Sequence, residues 1–132
     1  MKKIIFLMAI ILVGFVSCSD KENLIVNSNL NAKWLLVSDY YSPGFGYIYK
    51  YYTAKDNKTI MFTTEGKVRT QNQGAFNNFD YTIRDSVSLN VKKRNQDDQI
   101  WYYWIKNDTL RLNTMSCYEG CGQIYVRQIF MK

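Results

Sequence analysis

The sequence contains no histidine among its 132 residues. Histidine is the commonest general base near neutral pH and the commonest metal ligand, so most acid–base and metal chemistry lacks its usual residue here. A Gly-x-Ser-x-Gly nucleophile motif and a phosphate-binding glycine loop are also missing. Asp97 and Asp98 are the only adjacent carboxylates, and we interpret them as part of a solvated hairpin loop. The sequence therefore predicts a protein that is not an enzyme and uses no metal or cofactor.

Long hydrophobic runs are scarce too, because only residues 4–16 form one. This run is shorter than the roughly 20 residues that a helix needs to span a bilayer. It also lacks the polar residues at a 3.6-residue spacing that a helix on the surface of a core would carry. Lys2 and Lys3 precede the run and the small residue Ser17 follows it, as in a secretory signal peptide. We predict a signal peptide at residues 1–17.

The residues at the end of this run, Phe15 to Cys18, resemble a bacterial lipobox, with Phe15 at a position where Leu, Val or Ile is usual. In a lipobox the chain is cut before the cysteine, whose sulfur then carries diacylglycerol and whose new amine is acylated, here with palmitate as the expected chain. The segment 19–22 resembles the signal that sends lipoproteins of Bacteroidota to the cell surface. The resemblance implies that Cys18 is a lipid anchor and that the protein is held at the outer membrane, on its periplasmic face or at the cell surface. Two or three acyl chains hold a protein stably at a membrane.

The chain has three cysteines, and an odd number would leave one reactive thiol in an exported protein. If Cys18 carries lipid, Cys117 and Cys121 remain and enclose three residues, which suits a disulfide across a tight turn. A ring so small would stabilise the fold by about 2 kcal/mol at most. A thioredoxin-type motif has two intervening residues, and two thiols without histidine do not complete a zinc site.

The charge balance is modestly positive. The formal net charge is +6, and Lys2 and Lys3 would remove two of these charges with the signal peptide. Such a balance indicates solubility or attraction to an anionic surface, and we expect no nucleic-acid partner. We interpret the basic cluster at 92–94 as a hairpin loop. The asparagine-rich residues 23–31 are typical of a tether, so we divide the chain into a signal peptide (1–17), a lipidated tether (18–30) and one domain (31–132).

The domain has the composition of β-strands. It is rich in Tyr, Thr, Ile, Val and Trp, it is divided by short polar turns, and no segment carries a long helical stripe. Turn residues such as Asp56-Asn57, Glu65-Gly66 and Asn107-Asp108 separate the strands. The pattern predicts nine strands, near 33–41, 46–53, 58–64, 67–72, 78–84, 86–92, 99–106, 108–114 and 122–131.

Two of the predicted hairpins repeat each other, as YTIRDSVSLN from Tyr81 and YWIKNDTLRLN from Tyr103. Strand alternation puts every second residue of each on one face, which we take as the core side. That face carries Tyr81, Ile83, Val87, Leu89, Tyr103, Ile105, Leu110 and Leu112. Consecutive hairpins with a single apolar face close most simply into a barrel, because closure removes exposed edges. We predict an all-β, antiparallel, up-and-down barrel of about eight strands.

Several short motifs, in this order, resemble small lipocalin-like lipoproteins of Bacteroidota. They are LNAKWLLV from Leu30, TIMF from Thr59, EGKV from Glu65, CYEGC from Cys117 and YVR from Tyr125, with Ala32 where such chains commonly have glycine. The resemblance implies a lipocalin-like barrel. It also implies that Trp34 of the first strand plugs one end and that Arg127 of the last strand lies across its ring. Such a cation–π pair contributes about 0.5–2 kcal/mol.

The aromatic residues exceed what one inner face needs. The surplus is drawn from Tyr40, Tyr41, Tyr47, Tyr49, Tyr51, Tyr52, Trp101, Tyr102, Tyr103 and Trp104. Alternation places Trp101 inside with Tyr103 and Ile105, and we take these with Tyr81 and Ile83 as candidate interior or ligand-facing residues. Ile100, Tyr102 and Trp104 then face outward as a candidate contact surface for a partner, a sugar ring or a membrane interface. The alternatives are ordinary surface decoration of the barrel and an aromatic face that the tether covers.

Two functions stay open at this stage. The first is a non-catalytic binding module whose barrel mouth takes a small apolar or amphipathic ligand. The second is an accessory subunit of an envelope or cell-surface complex, which binds through the outward aromatics. An open apolar cavity would favour the first function, and a packed interior with an exposed aromatic patch would favour the second. In addition, Asp85-Ser86-Val87 and Asp108-Thr109-Leu110 resemble O-glycan sites of exported Bacteroidota proteins, although aspartate and hydroxyl residues are also ordinary at turns.

Overall fold

A computed structural model of the chain describes residues 29–73, 78–114 and 120–129. These residues form nine β-strands and one short turn of 3₁₀ helix, Ala54–Asp56. The strands are β1 (Lys33–Tyr41), β2 (Ile48–Tyr51), β3 (Thr59–Phe62), β4 (Lys67–Gln71), β5 (Phe79–Ile83), β6 (Ser88–Lys92), β7 (Gln99–Lys106), β8 (Thr109–Thr114) and β9 (Gly122–Arg127). All nine predicted strands are present. β1 and β7 have the predicted bounds, and the other seven are shorter than predicted.

The sheet closes into a barrel of eight antiparallel strands. From β3 to β9 each strand pairs with the next, and β9 pairs with β1. The other edge of β1 is shared: Lys33 to Leu35 pair with β3, and Ser38 to Tyr41 pair with β2. β2 is therefore a ninth strand that lies outside the closed barrel. The predicted all-β, up-and-down barrel is confirmed.

Asparagines make many of the turns that this topology needs. Asn57, Asn72, Asn78, Asn95 and Asn107 all have positive φ, between 44° and 65°. Asparagine tolerates this left-handed conformation better than most residues, because its short polar side chain can hydrogen-bond locally. At Asn107 the turn is only two residues long, since Lys106 and Thr109 are already paired on β7 and β8.

The core lies inside the barrel and follows the alternation of the strands. Trp34, Trp101, Tyr125 and Phe62 are the largest of its fully buried side chains, and each is at most 2 % exposed. Of the residues predicted to face inward, six are buried and two are half-buried against the core. The buried ones are Tyr81, Leu89, Trp101, Tyr103, Leu110 and Leu112, and the half-buried ones are Ile83 and Ile105.

The prediction that Val87 faces the core is wrong, because its side chain is 50 % exposed. Val87 lies at the tip of the β5–β6 hairpin, one residue before β6 begins. There the backbone N–H of Val87 donates to Asp85 Oδ1 at 2.9 Å, and Ser88 Oγ donates to Asp85 Oδ2 at 2.6 Å. Alternation holds only where the chain is extended, so this hydrogen-bonded turn overrides it. The carboxylate of Asp85 thus stabilises the turn, and the neighbouring Ser86 is exposed.

Trp34 and Arg127 meet at one end of the barrel, which is the contact implied by the resemblance. The guanidinium carbon of Arg127 lies 4.7 Å from the centroid of the Trp34 ring. Its Nη2 donates to the carbonyl of Asn29 at 2.8 Å, and its Nε lies 3.3 Å from Asp108 Oδ1. Arg127 therefore joins the start of the described chain, the first strand and the β7–β8 turn.

The residue just before the predicted domain boundary at 31 packs inside the barrel. Leu30 is fully buried in the core, and its carbonyl accepts a hydrogen bond from Trp34 Nε1 at 3.0 Å. Ala32, which stands where the resemblance leads one to expect glycine, packs against the same core. The core thus includes Leu30, which the predicted division assigned to the tether.

Candidate functional site

The residues proposed as ligand-facing are mostly inside the barrel, and their polar atoms bond to the protein itself. The hydroxyl of Tyr81 lies 2.9 Å from Asn31 Oδ1 and 2.8 Å from the carbonyl of Thr63. Trp101 Nε1 donates to Gln99 Oε1 at 3.1 Å. Their rings pack edge-on against Phe62 and Phe79, at centroid distances of 5.4 and 6.0 Å. This part of the interior is a packed core.

Further along β1 the interior holds a polar cluster, which the sequence did not reveal. Asp39 Oδ2 accepts a hydrogen bond from the hydroxyl of Tyr52 at 2.6 Å, and Asp39 Oδ1 accepts one from Gln123 Nε2 at 3.2 Å. The hydroxyl of Tyr125 lies 2.8 Å from Gln123 Oε1 and 3.1 Å from Gln73 Oε1. Burial and then the bond to Asp39 raise the pKa of Tyr52 to about 12. Burial raises the pKa of Tyr125 as well.

A β-bulge explains why Asp39 belongs to this cluster. The register between β1 and β9 shifts between Leu36 and Ser38, so Asp39 lies opposite Gln123 on the side of the sheet that carries Tyr125. Simple alternation from the inward Trp34 would have placed Asp39 outside. No residue pattern in β1 marks the bulge.

The outer face of the barrel carries most of the exposed aromatics. We use the name outer aromatic surface for Tyr40, Tyr47, Tyr49, Tyr51, Tyr102 and Trp104. Tyr49 lies 5.9 Å from Tyr40 and stacks on Tyr51 at 6.1 Å, measured between ring centroids. Tyr102 and Trp104 on β7 are each 48 % exposed, as alternation predicted, and Ile100 on the same face is half-buried. Strand pairing through β1, β9, β8 and β7 makes these residues one continuous face.

A groove of about 450 Å³ crosses this face. The groove is lined by residues of β1, β7 and β8 and by one residue of the β5–β6 turn. They are Tyr40, Tyr102, Tyr103, Trp104, Arg111, Leu112, Asn113 and Val87. The guanidinium carbon of Arg111 lies 5.5 Å from the centroid of the Trp104 ring. Burial raises the pKa of Tyr40, and the positive charge of Arg111 opposes that shift. The guanidinium thus lies among aromatic rings within the groove.

The wall that Tyr40 forms depends on a glycine. A Cβ atom on Gly122, the first residue of β9, would lie 2.4 Å from the hydroxyl oxygen of Tyr40 and 2.6 Å from its Cζ. Contacts that short do not occur, so the Tyr40 ring can lie across β9 only because residue 122 has no side chain. The β1–β9 register sets this approach, since it pairs Tyr40 with Gly122.

Replacing Gly122 by alanine should push the Tyr40 ring off β9 and toward solvent. Loss of the ring contacts should lower the free energy of unfolding by about 0.5–1.5 kcal/mol. Because burial is the main cause of the raised pKa of Tyr40, that pKa should also fall toward its ordinary value. Titration of ¹³C-labelled tyrosine by NMR would follow the pKa. In a Tyr40→Ala background the same glycine substitution should cost little, and an equal cost in both backgrounds would contradict this packing.

The sequence found only half of this site. It grouped Tyr102 and Trp104 on one strand, where alternation is a local property. It did not place Tyr40 beside them, because Tyr40 arrives through barrel closure, in which β1 pairs with β9 and β9 with β8. It also did not single out Arg111, although Arg111 lies opposite Trp104 across the short β7–β8 hairpin, whose register is local. The aromatic surplus was the available signal for Tyr40, and the spacing about the β7–β8 turn was the available signal for Arg111.

Other predicted sites lie beyond what the structure describes. Cys18 and Cys117 are outside the described residues, so the lipid anchor and the Cys117–Cys121 disulfide stay predictions. Within residues 29–73, 78–114 and 120–129, no three side chains of the metal-binding types come together. In the same part of the chain, no helix has the length and apolarity needed to cross a bilayer.

Comparisons of the chain with protein-family models, with curated proteins and with solved structures returned no match. The resemblance to lipocalin-like lipoproteins therefore rests on the short motifs, and the structure supports only the barrel fold. The groups that line the groove offer aromatic stacking, tyrosine hydroxyls, one guanidinium and one amide.

Proposed function

We propose that the protein is a non-catalytic binding protein of the bacterial envelope that contacts its partner through the outer aromatic surface. The observation that carries the proposal is the groove of about 450 Å³ between Tyr40 and Trp104, with Arg111 inside it. Ligand sites commonly have volumes of about 300–1,000 Å³ and combine aromatic walls with a few polar groups. This proposal develops the second of the two functions left open by the sequence.

The barrel interior supports binding at its mouth less well. An apolar ligand needs an apolar lining, whereas Asp39, Tyr52, Gln123 and Tyr125 form a hydrogen-bonded cluster there. Inserting an apolar molecule would break these bonds, and each buried polar group left without a partner costs about 1–3 kcal/mol. The packed rings of Trp34 and Trp101 occupy the interior elsewhere. These contacts favour the outer face as the binding surface.

The location belongs to the same proposal. The apolar run at residues 4–16 and the lipobox-like residues that end at Cys18 support export and lipid anchoring at the outer membrane. Ten residues then separate Cys18 from the first described residue, Asn29. Ten residues reach about 35 Å when extended, so an anchored barrel could turn its outer aromatic surface toward a neighbouring molecule in the envelope.

Oxidative footprinting in intact cells tests the proposal directly. The expected result is that Trp104 and Tyr102 are oxidised more slowly in the envelope than in the purified protein. Met61 is the internal control, because it lies on β3 beside a different outer groove, lined by Lys33 and Arg69. Its oxidation should be the same in both preparations. Mass spectrometry of the same sample would report the acyl chains on Cys18 and the state of Cys117 and Cys121.

Two outcomes would overturn the proposed surface. If Trp104 is oxidised at the same rate in cells and in solution, the outer aromatic surface has no partner in the envelope. If only Tyr52, at the polar cluster, is protected from oxidation in cells, the partner binds at the mouth of the barrel instead.

A further inference from the structure

We propose that the groove on the outer aromatic surface binds an acidic saccharide, a sugar that carries a carboxylate. This inference rests on the proposed function, because it assigns a ligand class to the same surface. It is argued from the charge of the groove, from the state of the strand edges around it and from the kinds of group that line it.

Among the described residues, the groove carries positive charge without a matching carboxylate. β7 and β8 contain Lys106 and Arg111 but no aspartate or glutamate. No ion pair joins Arg111 to a carboxylate of the described residues. Asp85 is at the nearby hairpin tip, but both of its carboxylate oxygens accept hydrogen bonds from its own turn. The guanidinium of Arg111 is therefore available to an anion, and its planar fork matches a carboxylate with two parallel bonds.

The strand edges at the groove argue against a peptide that binds by adding a strand. An extended peptide typically binds a sheet by adding a strand at an open edge. Here β7 is paired with both β6 and β8, and β8 is paired with both β7 and β9. The main-chain groups at the groove are thus already used, and the ligand must be recognised by side chains alone.

The lining argues for a sugar ring. The faces of Tyr and Trp rings carry partial negative charge and attract the slightly positive C–H groups on the flat side of a sugar. Tyr40 and Trp104 stand on opposite sides of Arg111, since Tyr40 lies over Gly122 and Trp104 is the ladder partner of Arg111. The amide of Asn113, the ladder partner of Tyr102, can both donate to and accept from hydroxyls. A ligand with a flat apolar side, hydroxyls at its rim and one carboxylate uses all of these groups.

The experiment is a binding panel on the mature protein. The probes are oligosaccharides of galacturonate, of glucuronate and of a nonulosonic acid, each beside its carboxyl-reduced neutral form. The expected result is that at least one acidic probe binds. The affinity of its neutral form should be lower by a factor of about ten or more, as the loss of one charge-assisted contact predicts. Arg111→Leu and Trp104→Ala should each weaken binding of the acidic probe about tenfold or more. Arg69→Leu, which removes an exposed arginine from β4 beside a different groove, should leave affinity unchanged.

Several results would overturn the assignment: no acidic probe binds, the neutral forms bind equally well, or Arg69→Leu weakens binding as much as Arg111→Leu. Binding to vesicles of anionic phospholipid, without binding to any saccharide, would assign the groove to a lipid surface instead. The two proposals fail separately. If Trp104 is protected in intact cells but no acidic saccharide binds, the proposed surface stands and the ligand class is wrong.

Discussion

Replacing Trp34 by alanine should lower the free energy of unfolding by about 3–5 kcal/mol, which is the usual cost of removing a large buried aromatic side chain. Trp34 has no exposed surface, and its ring lies 4.7 Å from the guanidinium carbon of Arg127. The substitution would leave a cavity that the closed sheet cannot fill by collapse, and it would remove the hydrogen bond to the Leu30 carbonyl. Since small domains have about 5–15 kcal/mol of stability in total, this loss would remove a large share of the stability of the barrel.

Trp104→Ala is the matched control, because it makes the same chemical change at a side chain that is 48 % exposed. We expect a loss of less than about 1 kcal/mol, since little packing is removed. Urea titration followed by far-ultraviolet circular dichroism measures both variants without depending on tryptophan fluorescence. Equal losses in the two variants would show that Trp34 does not plug the barrel.

Raising the pH above 10 should destabilise the barrel steeply. Burial raises the pKa of Tyr125, and burial together with Asp39 raises the pKa of Tyr52 to about 12. In the unfolded chain both tyrosines titrate near pH 10. Above that pH the unfolded chain releases protons that the folded chain retains, so stability is full below pH 10 and falls as pH rises. Tyr52 ceases to add to this fall once the pH passes about 12.

Tyr125 should contribute most to this alkaline destabilisation, because its side chain is fully buried. One proton retained only in the folded state changes the free energy of unfolding by about 1.4 kcal/mol for each pH unit. Burial also raises the pKa values of Tyr40 and Tyr81, which add to the slope in the same direction.

Two conservative variants test how much Tyr125 contributes to the slope of the free energy of unfolding against pH. Tyr125→Phe should reduce the loss of stability between pH 10 and 11.5 by about 1.4 kcal/mol per pH unit, although its stability at pH 7 is lower because Gln73 and Gln123 lose a partner. Tyr51→Phe removes a hydroxyl that is largely exposed and should leave the slope unchanged. Urea titrations at a series of pH values give both slopes, and identical slopes for the two variants would contradict the burial of Tyr125.

The strands were predictable because their signals are local. Alternation over the hairpins put Tyr103, Leu110 and Leu112 inside, and the structure places them there. The same logic failed at Val87, where a turn held by Asp85 interrupts the extended chain before β6 begins. The sequence also predicted that Tyr102 and Trp104 face outward, because alternation within a single strand decides on which face of the sheet a side chain lies.

The sequence by itself determined the nine strands, the apolar face of each hairpin and the segment at residues 4–16 that precedes the domain. Each of these follows from residue types and spacing within a few neighbouring positions. Only the tertiary structure decided that a bulge after Leu36 turns Asp39 inward, that β2 lies outside the barrel, and that Tyr40 crosses Gly122 to reach the groove. The place of β2 depends on how β1 shares its other edge between β2 and β3. The bulge and the Tyr40 contact depend on the register between β1 and β9, which lie at opposite ends of the domain. That register is fixed by packing between distant residues, and no local pattern encodes it.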